Sequence, residues 1–399
     1  MYLEELKIWN FRKFGDDSPI FDSERRLRNP DINIKFNKGL NLIVGENDSG
    51  KSAIIDAIKL VCKTNSNDWV RIDQDDFVNG KDGRFRIECI FSDFNIEEAK
   101  NFTEWLGRNS NNGSPYSFLR INLDVQKVNG RIIPSDIKAG PDDVGTSLDA
   151  GAKELLQVVY LKALRDAKGE LAPKKNSRLS KIFEGHKAFR GKEDTHYLTE
   201  QILEFKKKIE KYFNYDGDTI EDEEGRKLKS ELDKLITEFF PIDQSQTSQI
   251  GFTGKTLKSV LESFKLTLDD EFTGLGSDNL LFIATELLLL QREPWTGLKL
   301  GLIEELEAHL HPQAQMRVVD FLQNEAIENN YQLILTSHSP NLASKINLEN
   351  IVICTADAQA FSLGKSNTFL DEADYRFLSR FLDTTKANLF FARGVILVE

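Results

Sequence analysis

The pattern of apolar and polar residues predicts an α/β protein with two kinds of β-strand. Half-buried strands are predicted where apolar and polar residues alternate, at residues 2–14, 32–36, 84–91 and 118–128. Buried strands are predicted where apolar residues follow one another, at residues 40–44, 297–303, 331–336 and 351–354. The sequence therefore predicts a mixed sheet architecture, in which an antiparallel flap lies beside a mainly parallel sheet with helices.

A helical pattern occupies the middle of the chain. Residues 176–240 are highly charged and mostly helical in pattern, and two runs within them have apolar residues at every third or fourth position. These apolar positions are Leu198, Ile202, Phe205, Ile209 and Phe213, followed by Leu228, Leu232, Leu235 and Phe239. Two such helices either form a contact between subunits or pack on their own domain, and the sequence leaves both interpretations open.

A glycine-containing segment joins the first buried strand to an apolar helix. Residues 45–52, Gly-Glu-Asn-Asp-Ser-Gly-Lys-Ser, fit the pattern G-x-x-x-x-G-K-[ST]. In such a loop, backbone N–H groups surround a phosphate and the helix start adds a partial positive charge. The lysine reaches the outer phosphates, and the last hydroxyl binds Mg²⁺. The sequence therefore predicts a site for ATP and Mg²⁺ formed by Gly45, Glu46, Asn47, Asp48, Ser49, Gly50, Lys51, Ser52 and Ala53.

Two later strand ends carry residues that suit the same chemistry. Glu304 and Glu305 follow the predicted strand 297–303, and parallel sheets bind ligands at such carboxyl ends. One carboxylate can hold Mg²⁺, and the other can orient the water that attacks the γ-phosphate. His338 follows the strand 331–336 and either contacts the γ-phosphate or is a passive residue in a helix-capping segment.

Two further candidates each allow a functional and an ordinary interpretation. Arg12 either reaches a nucleotide phosphate or is a solvated arginine at a strand end. Gly274, Gly276 and Ser277 precede a long apolar helix predicted from Leu280 to Leu290, and a helix start of this kind can bind an anion. Many such glycine-containing helix starts bind nothing, so the pattern alone does not establish that this one binds an anion.

Composition narrows the class of protein. The 399 residues include 40% hydrophobic and 29% charged residues, which is ordinary for a globular protein. Apolar stretches are too short to span a membrane and the N-terminus does not resemble a signal peptide, so we predict a cytoplasmic protein without membrane contact. The net charge of −12 does not indicate a nucleic-acid binder, although local basic patches decide such binding.

A separate metal site receives little support from the sequence. Cys62, Cys89 and Cys354 lie far apart without C-x-x-C spacing, and we expect buried thiols rather than a zinc site or disulfides. His309 and His311 either bind a metal or stabilise a turn, and the second interpretation is favoured.

Several motifs in combination resemble one family of ATPases. The start of the chain at residues 7–14, the P-loop and the segment 336–339 resemble the split ATPase heads of the ABC, SMC and RecF group. In that group a long insertion separates two lobes, which matches the interval between the P-loop and Glu304. Within the group, the segments 160–166, 304–312 and 391–399 resemble the overcoming-lysogenization-defect (OLD) family.

The resemblance implies a role for each residue of the site. Lys51 and Ser52 would bind phosphate and Mg²⁺, and Glu304 would hold Mg²⁺. Glu305 would activate the attacking water, and His338 would act as a switch histidine. Glu305, His338 and Lys51 are therefore the expected catalytic residues.

The resemblance also implies partners and a further domain. We expect a dimer or a dimer of dimers, in which the signature loop with Gly274, Gly276 and Ser277 completes the site of another subunit. In the OLD family a Toprim nuclease domain follows the head, and its first strand ends in a metal-binding glutamate, which Glu399 matches. Such proteins commonly act on DNA in defence against phage, sometimes beside a helicase or another protein.

The expected function is therefore the ATP-hydrolysing head of an OLD-type endonuclease. The alternatives are a DNA-repair clamp similar to RecF or SMC without nuclease activity, and a scaffold whose ATP site only locks an oligomer. The expected layout is an N-terminal lobe at residues 1–165, a helical insertion for dimerisation at 166–250, a C-terminal lobe at 251–385 and the first strand of an incomplete Toprim domain at 386–399.

Overall fold

The computed structural model divides the chain into two compact units. Unit 1 combines Met1–Arg165 with Phe272–Glu399, and unit 2 is Asp166–Glu271. The structure describes residues 1–64, 70–111, 114–133, 136–163, 167–214, 224–239, 248, 256–268, 274–291 and 295–392. Of the helices in these stretches, none has both the length and the apolar character needed to cross a membrane.

Fourteen strands are described, and all of them belong to unit 1. They are β1 (Tyr2–Trp9), β2 (Ile32–Lys35), β3 (Leu40–Gly45), β4 (Gly83–Ser92), β5 (Leu106–Asn111), β6 (Ser114–Val128), β7 (Arg131–Ile133), β8 (Lys138–Ala139), β9 (Thr146–Ser147), β10 (Val159–Leu161), β11 (Leu300–Ile303), β12 (Gln332–Ser337), β13 (Ile351–Cys354) and β14 (Ala360–Ser362).

The described helices occur in both units. They are α1 (Lys51–Cys62), α2 (Ile96–Lys100), α3 (Ala150–Leu155), α4 (Ala167–Glu170), α5 (Arg178–Gly185), α6 (Tyr197–Asn214), α7 (Glu224–Phe239), α8 (Leu257–Leu261), α9 (Leu275–Leu290), α10 (Pro312–Glu328), α11 (Pro340–Ala343) and α12 (Glu372–Phe381). Short 3₁₀ turns add Gln74–Asp76, Val78–Gly80, Leu348–Asn350, Lys365–Asn367 and Lys386–Phe391. Helices α4 to α8 form unit 2, and the others belong to unit 1.

A largely parallel sheet carries the predicted site. Its strand order is β10-β11-β12-β3-β13-β14, and only β14 runs antiparallel to its neighbour. Every residue of β3, β11 and β12 is buried, as their uninterrupted apolar sequences predict. Since parallel strands end at the same edge, the loops after β3, β11 and β12 meet there.

An antiparallel sheet forms the other layer of unit 1. Its strand order is β2-β1-β4-β6-β8-β9, and β5 and β7 also pair with β6. Helix α1 contacts β3 of the parallel sheet and β4 and β6 of the antiparallel sheet, so its apolar residues belong to a core shared by both. The predicted α/β fold class, with an antiparallel flap beside a parallel sheet, is therefore confirmed.

Strand β1 is shorter than its apolar–polar alternation predicts. The alternation extends over residues 2–14, whereas β1 ends at Trp9 because Asn10 and Arg12 have positive φ angles of 51° and 53°. Positive φ is incompatible with a strand and turns the chain. Arg12 thereby leaves the sheet and lies in a loop beside α1, where its side chain bonds to Asp56.

Unit 2 contains α5, α6 and α7, which lie in the segment 176–240 that is predicted to be helical, together with α4 and α8, which lie outside that segment. Helix α6 packs on α7, and α8 packs on both α5 and α6. Whereas the insertion is expected to end at residue 250, unit 2 extends to Glu271 and includes α8, which packs on α5 and α6. Tyr197, Phe205 and Leu228 are at least half exposed on α6 and α7.

Candidate nucleotide site

The P-loop runs from the end of β3 to the start of α1, and its glycines are required by close contacts. Gly45 has a φ of +155°, and a Cβ atom there would lie 2.3 Å from the carbonyl oxygen of Cys354. Gly50 has a φ of +104°, and a Cβ atom there would lie 2.5 Å from the ring of Phe14. Because L side chains rarely adopt such φ angles, both positions favour glycine.

The loop forms a polar cradle around the ammonium group of Lys51. Lys51 Nζ crosses the cradle and donates hydrogen bonds to the carbonyl oxygens of Gly45 at 2.9 Å and Glu46 at 2.6 Å. Burial lowers the pKa of the Lys51 ammonium, and an anionic phosphate would favour its charged form. The Oγ atom of Ser49 is buried and has no hydrogen-bond partner among the described residues. These groups suit a phosphate.

The carboxylate of Glu304 lies against the first turn of α1. Glu304 is 8% exposed, and its Oε2 accepts a 2.9 Å hydrogen bond from the Ser52 hydroxyl. Its Oε1 accepts a 2.7 Å hydrogen bond from the Tyr160 hydroxyl. A buried carboxylate next to a hydroxyl is a donor set that suits Mg²⁺, which prefers oxygen ligands. Sequence reasoning did not select Tyr160, although it lies in the segment 160–166 that resembles the OLD family.

Glu305 adopts an unusual backbone conformation. Its φ is +44°, a region that costs a non-glycine residue about 1–3 kcal/mol. Its backbone N–H donates to Thr336 Oγ1 at 3.2 Å, which holds the strand ends of β11 and β12 together. The Glu305 side chain is 43% exposed and lines a cavity, whereas Glu304 is buried.

His338 lies between the P-loop and Glu305. Its Nδ1 lies 3.1 Å from the carbonyl oxygen of Gly45 and 3.4 Å from Lys51 Nζ, and its Nε2 lies 3.9 Å from Glu305 Oε1. Glu307 Oε1 accepts hydrogen bonds from the backbone N–H of His338 at 2.6 Å and from the Ser337 hydroxyl at 2.9 Å. Glu307 therefore fixes the strand end that carries His338, a role that sequence reasoning missed.

Lys51, Ser52, Glu305 and His338 line a cavity of about 480 Å³ within unit 1. Its lining residues are Arg12, Lys13, Asn47, Asp48, Gly50, Lys51, Ser52, Ala53, Glu305, Thr336 and His338. The volume is within the range of small-molecule sites. The P-loop, the second carboxylate and the histidine thus meet at one place, as their positions at parallel strand ends predict.

Arg12 lies on the cavity wall, but acidic side chains bind its guanidinium. Nη1 donates to Asp56 Oδ2 at 2.7 Å and Nε donates to Asp76 Oδ1 at 2.9 Å. Burial alone would lower the pKa of Arg12, but the charges and hydrogen bonds of Asp56 and Asp76 outweigh it and raise the pKa. The structure therefore gives Arg12 a structural role beside any contact with phosphate.

The signature residues lie at the start of α9 and outside this cavity's described lining. Helix α9 begins at Leu275, five residues before the predicted start, so Gly276 and Ser277 belong to its first turn. A Cβ atom on Gly276 would lie 2.6 Å from the carbonyl oxygen of His309. The helix start thus packs on the turn that follows Glu304 and Glu305. Gly274 and Ser277 are exposed.

The remaining candidates take no part in the cavity. His311 caps α10, where its side chain accepts a hydrogen bond from the N–H of Gln313 at 3.4 Å. In the described part of the chain, no group of three or more metal-binding side chains is found. The three cysteines are buried and free, as predicted: Cys62, Cys89 and Cys354. Glu399 lies outside the described residues.

The fold and the cavity define a nucleotide-binding P-loop ATPase domain. Residues 40–344, about three quarters of the chain, match the family model described as "AAA domain, putative AbiEii toxin, Type IV TA system". The chain belongs to this family. Its match includes the P-loop, both carboxylates and His338.

Curated relatives support the resemblance to the OLD family. The chain is 25% identical to the OLD nuclease of Thermus scotoductus, over 90% of this chain and 67% of the relative. It is 24% identical to Endonuclease GajA of Bacillus cereus, over 100% of this chain and 69% of the relative. Among solved structures, the chain is similar to an SMC head bound to the C-winged helix domain of ScpA, with 15% sequence identity and a TM-score of 0.49. The match covers 90% of this chain and 97% of that chain. The two relatives named above, and not the structural similarity, confirm the predicted relationship to OLD-type ATPases.

Proposed function

We propose that this chain is the ATP-binding and ATP-hydrolysing head of an OLD-type DNA endonuclease. The observation that supports it best is the convergence of Ser52 and Glu304, which are 252 residues apart in sequence, in one hydrogen bond. The P-loop binds ATP in the cavity, and Ser52 and Glu304 would hold Mg²⁺. The similarity to an OLD nuclease and to an endonuclease supports the proposed activity on DNA.

Different residues of the chain bind the phosphates, activate the attacking water and contact the outer phosphate. Lys51 and the backbone N–H groups of the loop bind the phosphates and stabilise negative charge at the outer phosphate. When bound, Mg²⁺ neutralises charge on the phosphate oxygens. Glu305 projects into the cavity, where its carboxylate can accept a proton from a water molecule and orient it. His338, 3.9 Å from Glu305, contacts the outer phosphate and senses its loss.

The proposal includes an assembly and a cellular role. We propose a homodimer or a dimer of dimers, in which Gly274, Gly276 and Ser277 contact nucleotide bound by another subunit. The half-exposed apolar residues of α6 and α7 support a subunit contact through unit 2. In the cytoplasm, ATP would control a following Toprim nuclease, with Glu399 in its metal site, during anti-phage defence beside a helicase or another partner.

Two substitutions test the proposed chemistry. We expect Glu305→Gln to reduce kcat for ATP hydrolysis about 100-fold while ATP binding is retained, because only the base is removed. We expect Lys51→Ala to weaken ATP binding, because the cation in the cradle is lost. Steady-state phosphate release and binding of a fluorescent ATP analogue measure both effects.

Matched controls separate these effects from changes in surface charge. Glu372→Gln and Lys100→Ala change exposed residues of the same types, and both should hydrolyse ATP like the wild type. Equal and negligible turnover in the wild type and in all variants would contradict the ATPase proposal. DNA cleavage by the full protein that does not respond to ATP would contradict the proposed control of the nuclease.

A further inference from the structure

We infer that Tyr160 is a positioning residue that orients the Glu304 carboxylate for metal binding. This inference rests on the proposed function, because it assumes that Glu304 holds Mg²⁺. Tyr160 lies on β10, the strand beside β11, and pairs in register with Leu302, two residues before Glu304. Neighbouring parallel strands thus bring the hydroxyl and the carboxylate to the same sheet edge.

The two oxygens of Glu304 have different kinds of partner. Oε2 accepts the hydrogen bond of Ser52, which is itself a proposed metal ligand. Oε1 accepts the hydrogen bond of Tyr160 at 2.7 Å, a distance typical of a strong hydroxyl–carboxylate bond. Tyr160 is therefore a hydrogen-bond partner of Glu304 that is not itself a proposed metal ligand. Such partners of metal-binding groups fix their orientation.

One face of α1 holds the ring of Tyr160 in place. Lys59 Nζ lies 3.7 Å from the centroid of this ring and donates to Asp56 Oδ1 at 2.8 Å. Ser52, Asp56 and Lys59 follow one another at intervals of four and three residues, so they share a helix face. Lys59 is only 8% exposed. The buried cation below the ring and the carboxylate at the hydroxyl leave Tyr160 little freedom to rotate.

The substitution Tyr160→Phe tests this inference because it removes one oxygen atom and keeps the ring. We expect about tenfold more MgCl₂ to be needed for half-maximal tightening of a fluorescent ATP analogue, which is typical when the partner of a metal ligand is lost. In EDTA the affinity for the analogue should equal that of the wild type. The thermal unfolding temperature should fall by only a few degrees, because one hydrogen bond to a buried carboxylate is lost.

Tyr331→Phe is the matched control. The Tyr331 hydroxyl is buried and has no hydrogen-bond partner among the described residues, so its removal should leave the MgCl₂ requirement unchanged.

A second variant, Lys59→Met, retains the Tyr160 hydroxyl but removes the cation that contacts the ring. We expect it to raise the MgCl₂ requirement about threefold, as the loss of a partly buried cation–π contact would.

The outcomes separate this inference from the proposed function. If Tyr160→Phe has the MgCl₂ requirement of Tyr331→Phe, the inference is wrong. An equal loss of affinity in EDTA and in MgCl₂ would also overturn it, because it would indicate a general structural role. If wild-type binding of the analogue does not respond to MgCl₂ at all, the proposed function itself fails.

Discussion

At the scale of single residues, Gly45 sets the shape of the phosphate cradle. We expect Gly45→Ala to lower the free energy of unfolding of unit 1 by at least about 3 kcal/mol, because it combines a strained φ with a contact against fixed backbone. The new Cβ would meet the carbonyl oxygen of Cys354 at 2.3 Å and Ser49 Oγ at 2.6 Å. Binding of the fluorescent ATP analogue should be lost as well.

Gly39→Ala is a control variant that introduces backbone strain without a close contact at the new Cβ atom. Gly39 has a φ of +76° and open space around a Cβ atom, so its replacement should cost only about 1–2 kcal/mol. Urea unfolding followed by tryptophan fluorescence suits this comparison, because the described tryptophans Trp9, Trp105 and Trp295 belong to unit 1. Equal losses of stability in the two variants would contradict the proposed contact at Gly45.

The sequence identifies some residues of the site better than others. The P-loop residues and the Glu304–Glu305 pair follow buried strands directly, so local pattern is enough to find them. The bonds of Arg12 to Asp56 and Asp76 span 44 and 64 residues of sequence, and no periodicity relates such positions. Long-range pairs of this kind depend on how the two sheets and α1 pack, which a local pattern does not contain.

At the scale of elements, the start of α9 is fixed by its contact with the turn after β11. We expect Gly276→Ala to reduce the stability of unit 1 by about 1–3 kcal/mol, because the new Cβ would lie 2.6 Å from the backbone oxygen of His309. The helix would have to shift from that turn. Urea unfolding followed by tryptophan fluorescence measures the effect.

Gly151→Ala is the matched control, since Gly151 is also the second residue of a helix, α3. A Cβ atom there would meet only the side-chain Oδ1 of Asp149 at 3.4 Å. The higher helix propensity of alanine should therefore leave stability unchanged or raise it by up to about 1 kcal/mol. A stabilising Gly276→Ala would show that α9 does not depend on this contact.

The N-terminal boundary of α9 shows why the sequence pattern places the start of this helix five residues too far along the chain. The apolar run that signals α9 begins at Leu280, but the helix already starts at Leu275, where polar and glycine residues give no apolar period. Asn279 lies in this early part and donates to the carbonyl oxygen of Ala308 at 3.3 Å, a contact across 29 residues. Tertiary contacts of this kind extend a helix beyond its sequence signal.

At the scale of the whole chain, the insertion of unit 2 divides unit 1 without dividing its sheet. Strand β3 from the N-terminal part lies between β12 and β13 from the C-terminal part. The two predicted lobes therefore share one parallel sheet and one cavity. This sharing follows from strand order, which sequence pattern leaves undetermined, and it explains why the P-loop and Glu304 meet within one chain.

The proposed dimer gives the last prediction. In Glu305→Gln with saturating ATP and MgCl₂, we expect the sedimenting mass to rise from 45.5 kDa to about twice that value, because unhydrolysed nucleotide keeps the subunits together. Adding Ser277→Arg should restore the monomer, since this exposed position in the first turn of α9 would meet the partner's nucleotide site. Adding Ser366→Arg, on an exposed 3₁₀ turn, should have no effect. A monomeric Glu305→Gln protein under these conditions would contradict dimerisation around ATP.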